Sequence, residues 1–318
     1  MSFGSTAMPD GNPFALDDDQ AYRRWRDWKL ANAPASVDDL LVAVDDPCRL
    51  SAAEREAIVA RCRSANMAVY ASARRVEGKD LARRLGEQLG LRRLDANWLA
   101  DEDGISTLAV SERGTRAGFI PYTDRPIRWH TDGYYNPPER TIAAMLLHCV
   151  ERAEEGGGSR VLDHEIAYIL LRDADPAHVR ALSAPDTMSI PQRDGDGDAD
   201  ADGVASVARP VQAGPVFSLL PPGGDLHMRY TARTRSIAWR DDPATRAAVG
   251  ALRALLDAGG PWVHSFRLEA GMGIVCNNVL HEREGFVDSS RHRRTVLRAR
   301  YHDRIAGTHA AFRAARPG

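Results

Sequence analysis

In the stretch Arg128-Trp129-His130-Thr131-Asp132-Gly133, an imidazole and a carboxylate stand two residues apart, between an apolar lead-in and a turn. On an extended chain residues i and i+2 point to the same face, so one strand end can offer a nitrogen and an oxygen ligand to a single metal ion. A helix would swing the second side chain about 200° away. A mixed His/carboxylate set with open coordination positions suits a redox-active divalent ion such as Fe(II), provided the chain supplies another His. Taken alone, the same spacing also describes a surface His and Asp near a strand end.

A further His closes Gly271-Met272-Gly273-Ile274-Val275-Cys276-Asn277-Asn278-Val279-Leu280-His281, which reads as a glycine turn and an apolar strand, 273–280, with His281 at its end. Beyond it, Arg294, Val296, Arg298 and Arg300 share one face of a strand expected over 295–301. If that face is the interior, its cations need anions, and a dicarboxylate cosubstrate would supply one. A solvated sheet edge is the other reading of such an arginine run.

The elements that must position these residues follow from pattern. Asp17 to Asp19 open a helix with an aromatic stripe of Tyr22, Trp25 and Trp28, and Ser51-Ala52-Ala53-Glu54 is a capping box for a second helix. A strand is expected at 67–71 and an amphipathic helix from about 79 to 89, stopped by Gly90. These elements, about 20–106, read as a mixed, largely helical cap; residues 1–19, rich in Gly, Pro, Ser and Asp, read as a disordered tail. From Thr107 short runs of Val, Ile, Leu and Tyr alternate with Gly and Pro clusters, a mostly β texture. Asp163 caps a helix inserted between strands, and Pro176 opens its successor. The acidic segment 193–203 offers Asp198, Asp200 and Asp202 at calcium-loop spacing, but the position needing a bidentate Glu is Arg209, so a flexible loop is expected, with a lid role open to it.

With 318 residues, 43% hydrophobic and 27% charged, the chain has material for one large α+β domain, and its net charge of −2 argues against bulk electrostatic binding of nucleic acid. No run is long and apolar enough to cross a bilayer, and no basic region followed by an apolar run opens the chain. Cys48, Cys62, Cys149 and Cys276 stand alone, as reduced thiols in a cytoplasm do. Together these features lead to the expectation of a cytoplasmic protein with a small-molecule partner, and self-association into a homo-oligomer is left open.

From Thr107 to Arg304 the chain resembles the taurine dioxygenase-like Fe(II)- and 2-oxoglutarate-dependent oxygenases. The resemblance rests on His130-Thr131-Asp132, the loop Gly156-Gly157-Gly158-Ser159, the run Asn277-Asn278-Val279-Leu280-His281, and Arg294 with Arg298. It implies a double-stranded β-helix (jelly-roll) core over about 107–304, with flanking helices. It implies His130, Asp132 and His281 as iron ligands and Arg294 on the distal carboxylate of 2-oxoglutarate, with Ser159 where the family commonly places a Thr. Arg298 falls near the cosubstrate or the substrate's anion. The family's Gly-Gly-Asp-Thr is here Gly-Gly-Gly-Ser, and the stretch from His281 to Arg294 is slightly long. The implied reaction uses O2, releases succinate and CO2, and hydroxylates a small molecule. Tyr134, Tyr135 and Asn136 follow the ligand pair closely enough to line the mouth, and Asn278 is a further candidate for substrate contact. The rival readings are a non-redox metalloenzyme or cupin-like isomerase with Zn or Mn on the same fold, which would not need Arg294, and a non-catalytic scaffold.

Overall fold

The strand Ala144–Glu151 is apolar on both faces for most of its length, as a strand covered on both sides must be. In the computed structural model it pairs antiparallel with Met272–Cys276 on one edge and with Thr295–Tyr301 on the other. The pairing extends into a six-stranded sheet in the order Leu41–Ala43, Met67–Ala71, Met272–Cys276, Ala144–Glu151, Thr295–Tyr301, Ile105–Leu108, parallel only between the first two. A four-stranded antiparallel sheet runs His264–Phe266, Ser159–Leu162, Leu280–Arg283, Ile127–His130. The structure describes residues 12–95, 104–111, 113, 119–192, 210–222, 224–233 and 237–309. The acidic segment 193–203 lies outside them.

The two sheets enclose a cavity. Leu147, Val296 and Arg298 line it from the large sheet; Ser159, Val161 and His281 line it from the small one. Strand alternation does the sorting: Val296 and Arg298 face the cavity, while Leu297, Ala299 and Tyr301 face outward into an apolar cluster with the helices Ala52–Ala65 and Asp80–Gln88. Gly86 permits that packing, since a Cβ there would meet the Tyr301 hydroxyl at 2.3 Å. A second cluster beside the small sheet gathers Trp25, Trp129, Tyr168, Leu171, Leu252 and Leu280, bringing in the helices Asp19–Ala31, His164–Ala174 and Pro243–Ala258.

Local signals hold. Ser51 and Glu54 cap reciprocally, the Ser51 hydroxyl accepting from the Glu54 N–H and the Glu54 carboxylate from the Ser51 N–H. Asp163 accepts from the Glu165 N–H at 2.9 Å.

Three expectations need correction. The strand at 67–71, expected within the cap, pairs directly with Met272–Cys276 and is a member of the large sheet. Residues 12–19 are not part of a tail, because Phe14 is buried edge-on against Trp25 and Tyr168 at centroid distances of 4.9 and 5.6 Å; residues 1–11 lie outside the described residues. The strand expected at 273–280 is two strands: the chain leaves the large sheet after Cys276 and enters the small one at Leu280.

Candidate metal centre and anion pocket

His130 ends the strand Ile127–His130, and Asp132 lies just past it. The chain stays extended between them because Thr131 is held by Tyr230: its N–H donates to the Tyr230 carbonyl at 3.0 Å and its hydroxyl accepts from the Tyr230 N–H at 3.1 Å. His281 sits directly across from His130 in the ladder, with ring centroids 4.1 Å apart. One nitrogen or oxygen from each of His130, Asp132 and His281 lies within 4.8 Å of the others, and no other such group of three occurs among the described residues. The Nδ1 of His130 lies 2.9 Å from the Arg128 carbonyl and that of His281 lies 3.0 Å from the Val279 carbonyl, the partners of Nδ1–H groups. Nε2 is then the free lone pair on each ring.

The protonation states suit metal ligands. Burial, then the neighbouring imidazole, pushes His130 down to about 3, and burial likewise lowers His281. Burial alone would keep Asp132 protonated, but Arg298, Arg300 and the two imidazoles outweigh it and hold the carboxyl well below the usual range. The site thus presents two neutral imidazoles and one carboxylate. Asp132 Oδ2 is buried with no hydrogen-bond partner, and a buried orphan of that kind fits a cation. The donor set, two nitrogens and one oxygen, fits Fe(II).

Asn278, expected to touch substrate, instead supports this centre. It accepts from the Asp132 N–H at 2.8 Å and donates to the carbonyls of Asp132 at 2.9 Å and Ile142 at 2.7 Å, which occupies its whole amide. Its backbone is left-handed, with φ of 52°, a conformation Asn tolerates better than most residues. That turn breaks the expected strand and carries His281 onto the small sheet.

Ser159, Arg294 and Arg298 all line the cavity. Arg294 is buried, with its guanidinium 5.3 Å from the centre of the Phe286 ring, and burial lowers its pKa. Arg298 reaches Asp132 Oδ1 only at 3.5 Å, and its Nε is a buried donor without a partner. Arg300 is not part of the cavity lining: it is spent on Asp95 at 2.6 Å and on the Tyr135 hydroxyl at 2.9 Å. Tyr134 and Tyr135 pack edge-to-face beside the ligand turn, and Asn136 gives its amide to the Arg140 carbonyl; none of the three lines the cavity. Sequence reasoning missed Arg283, a cavity-lining arginine pushed down to about 9 by burial and then by Arg294. The signal was present, since Arg283 stands at i+2 from His281.

Residues 75–300 match the Taurine catabolism dioxygenase TauD, TfdA family. The chain belongs to that family, and with it to the iron- and 2-oxoglutarate-dependent oxygenases. Among solved structures, an asparagine oxygenase in complex with Fe(II), 3-hydroxyasparagine and succinate aligns with a TM-score of 0.55 at 14% identity, over 87% of this chain and 100% of that one. The non-heme iron oxygenase OrfP, in complex with Fe, succinate and a dihydroxy-L-Arg, aligns with a TM-score of 0.56 at 14% identity over 80% and 82%. PvcB from Pseudomonas aeruginosa, an Fe, alpha-ketoglutarate-dependent oxygenase from an isonitrile synthetic pathway, gives 0.53 at 16% over 83% and 85%. These likenesses establish a shared fold. Among the described residues no helix is long and apolar enough to cross a membrane.

Proposed function

We propose that His130, Asp132 and His281 hold Fe(II), that Arg294 and Ser159 receive the distal carboxylate of 2-oxoglutarate, and that Arg298 faces an anionic group of a small-molecule substrate. The observation that carries this reading is the orphaned Asp132 Oδ2 beside two free Nε2 atoms, next to a cavity lined by His130, His281 and three arginines, Arg283, Arg294 and Arg298. On this reading the facing sheets are a double-stranded β-helix and residues 12–309 act as one domain. Iron bound there, with O2 and 2-oxoglutarate, supplies an oxidation that couples release of succinate and CO2 to hydroxylation of a substrate C–H bond.

The chain's own residues bind and orient. A planar guanidinium at Arg294 grips a carboxylate through paired hydrogen bonds, fixing the cosubstrate's length between the metal and the far wall. The apolar side chains of Leu108, Met145, Leu147, Ile274 and Val296 exclude water from that channel. Asp132 would fill the carboxylate position that a halogenase leaves for halide, which favours hydroxylation over halogenation.

For substrate we propose free amino acids, a class in which a carboxylate could meet Arg298; two structural neighbours hold hydroxylated asparagine and arginine. A cytoplasmic location agrees with four unpaired cysteines. The test is succinate release from 2-oxoglutarate with Fe(II) and pooled amino acids. Release above the substrate-free background, lost in His281→Ala, supports the reading. Iron-independent turnover, or turnover unchanged in His281→Ala, refutes it.

A further inference from the structure

We infer that Arg283 is a second cation of the cosubstrate pocket, sharing the distal carboxylate of 2-oxoglutarate with Arg294 and setting the preference for a dicarboxylate. The inference rests on the cosubstrate reading above and adds a residue and a selectivity to it.

Strand geometry aims Arg283 at the cavity. In Leu280–Arg283, His281 and Arg283 are two residues apart and therefore share a face, and their ladder partners Val161 and Ser159 share it with them. All four line the cavity. Arg283 is thus the cross-strand neighbour of Ser159, at the end of the pocket where Arg294 enters.

The side chain is anchored but incompletely used. It is only 7% exposed; its Nη2 donates to the Thr123 carbonyl at 2.9 Å and also to the Arg125 carbonyl, while its Nε has no partner. Its chain neighbour Glu282 is taken by Arg160 at 2.6 Å, and Asp288 Oδ1 is engaged by the Arg294 backbone N–H at 2.9 Å. The guanidinium carbons of Arg283 and Arg294 lie 4.8 and 5.3 Å from the centre of the same ring, Phe286. Two buried cations on one aromatic ring repel each other, and Arg283 keeps a desolvated Nε–H that calls for an acceptor. An anion between the strands meets both needs, and the carbonyl clamp on Nη2 holds the guanidinium oriented before that anion arrives. A 2-oxo acid with an uncharged tail meets neither.

The experiment is anaerobic calorimetric titration of the Fe(II)-loaded protein with 2-oxoglutarate and, separately, with 2-oxopentanoate, which lacks the distal charge. Arg283→Gln keeps an amide donor for the two carbonyls and removes the charge; Arg283→Lys keeps the charge and is the second variant should Gln destabilise the fold. Arg283→Gln is expected to weaken 2-oxoglutarate about ten- to a hundredfold and leave 2-oxopentanoate unchanged, with Lys restoring part of the difference. Equal weakening of both acids in Gln, or a Lys variant with the discrimination of Gln, assigns Arg283 a purely structural role and overturns the inference, as does unchanged binding of both. If wild-type protein fails to bind 2-oxoglutarate, the cosubstrate reading itself falls. If wild type binds it and only the variants behave as wild type, the role of Arg283 alone falls.

Discussion

Lys29 and Asp132 are both buried charges, and they differ in where the counter-charge comes from. The Lys29 ammonium is fully enclosed, 2.6 Å from Asp163 Oδ2 and 2.5 Å from Glu165 Oε2. Asp163 also accepts from the Asn66 amide at 2.9 Å, and the Asn66 oxygen accepts from Arg304 at 2.6 Å and from Asn277 at 3.1 Å. Cations and carboxylates meet there within the chain, tying the first helix to the small sheet and to the segment after the last strand. At the cavity the pairing is left unfinished: Asp132 Oδ2, Arg298 Nε and Arg283 Nε are buried without hydrogen-bond partners, whereas Lys29 Nζ and Asp163 Oδ2, which also lack an aligned hydrogen bond, lie in direct ion-pair contact. A buried cluster that neutralises itself acts on stability, whereas one left incomplete is a site completed from outside, by a cation at one end and an anion at the other.

Substitution should separate the two clusters. Asp132→Ala is expected to abolish Fe(II)-dependent succinate release while the protein still folds, as read by circular dichroism; retained turnover would place the reaction elsewhere. Lys29→Met should do the reverse. It strands two buried carboxylates and is expected to cost about 3–5 kcal/mol in urea unfolding, with the Fe(II) affinity of the folded protein intact. A loss of affinity matching the loss of stability would merge the two clusters into one functional unit.

Asn278 tests the border between them, because its amide holds Asp132 while its neighbour Asn277 joins the Asn66 network. Asn278→Ala should lower Fe(II) affinity by about ten- to a hundredfold, as loss of a group that orients a ligand does. Asn278→Gly relieves the left-handed backbone but not the lost hydrogen bonds, so affinity restored by Gly would show that only the turn mattered.

A graded effect, small per pH unit, is expected in pH. His130 at the site and His227 away from it are both pushed down to about 3 from 6.5, by burial first and then by a neighbouring imidazole. Between pH 6.5 and 3 the unfolded chain binds protons that the folded protein refuses, so metal-free stability should fall with falling pH by ~1.4 kcal/mol per unit for each histidine. His227→Gln should remove one such share of the slope, measured by urea unfolding at several pH values, without changing Fe(II) affinity. An unchanged slope would mean that His227 is already protonated in the fold.

What residue order alone determined is local. The Ser51/Glu54 box and the Asp163 cap depend on neighbours within three residues, and short-range rules suffice for them; the spacing of His130 and Asp132 was legible too, but Tyr230, 99 residues from Thr131, holds the backbone between them. His281 and the arginines of the 295–301 strand were legible as types in a particular order. Tertiary structure decided the rest, because it depended on partners distant in sequence. The 67–71 strand joined the large sheet through Met272–Cys276, and Phe14 found Tyr168. Asn278 lies 146 residues from the Asp132 it holds, and its left-handed backbone splits the run 273–280 between two sheets. Periodicity reports which face a side chain takes but not what lies opposite, so Arg283 could be placed on the face of His281 while the Ser159 and Phe286 that give it meaning could not.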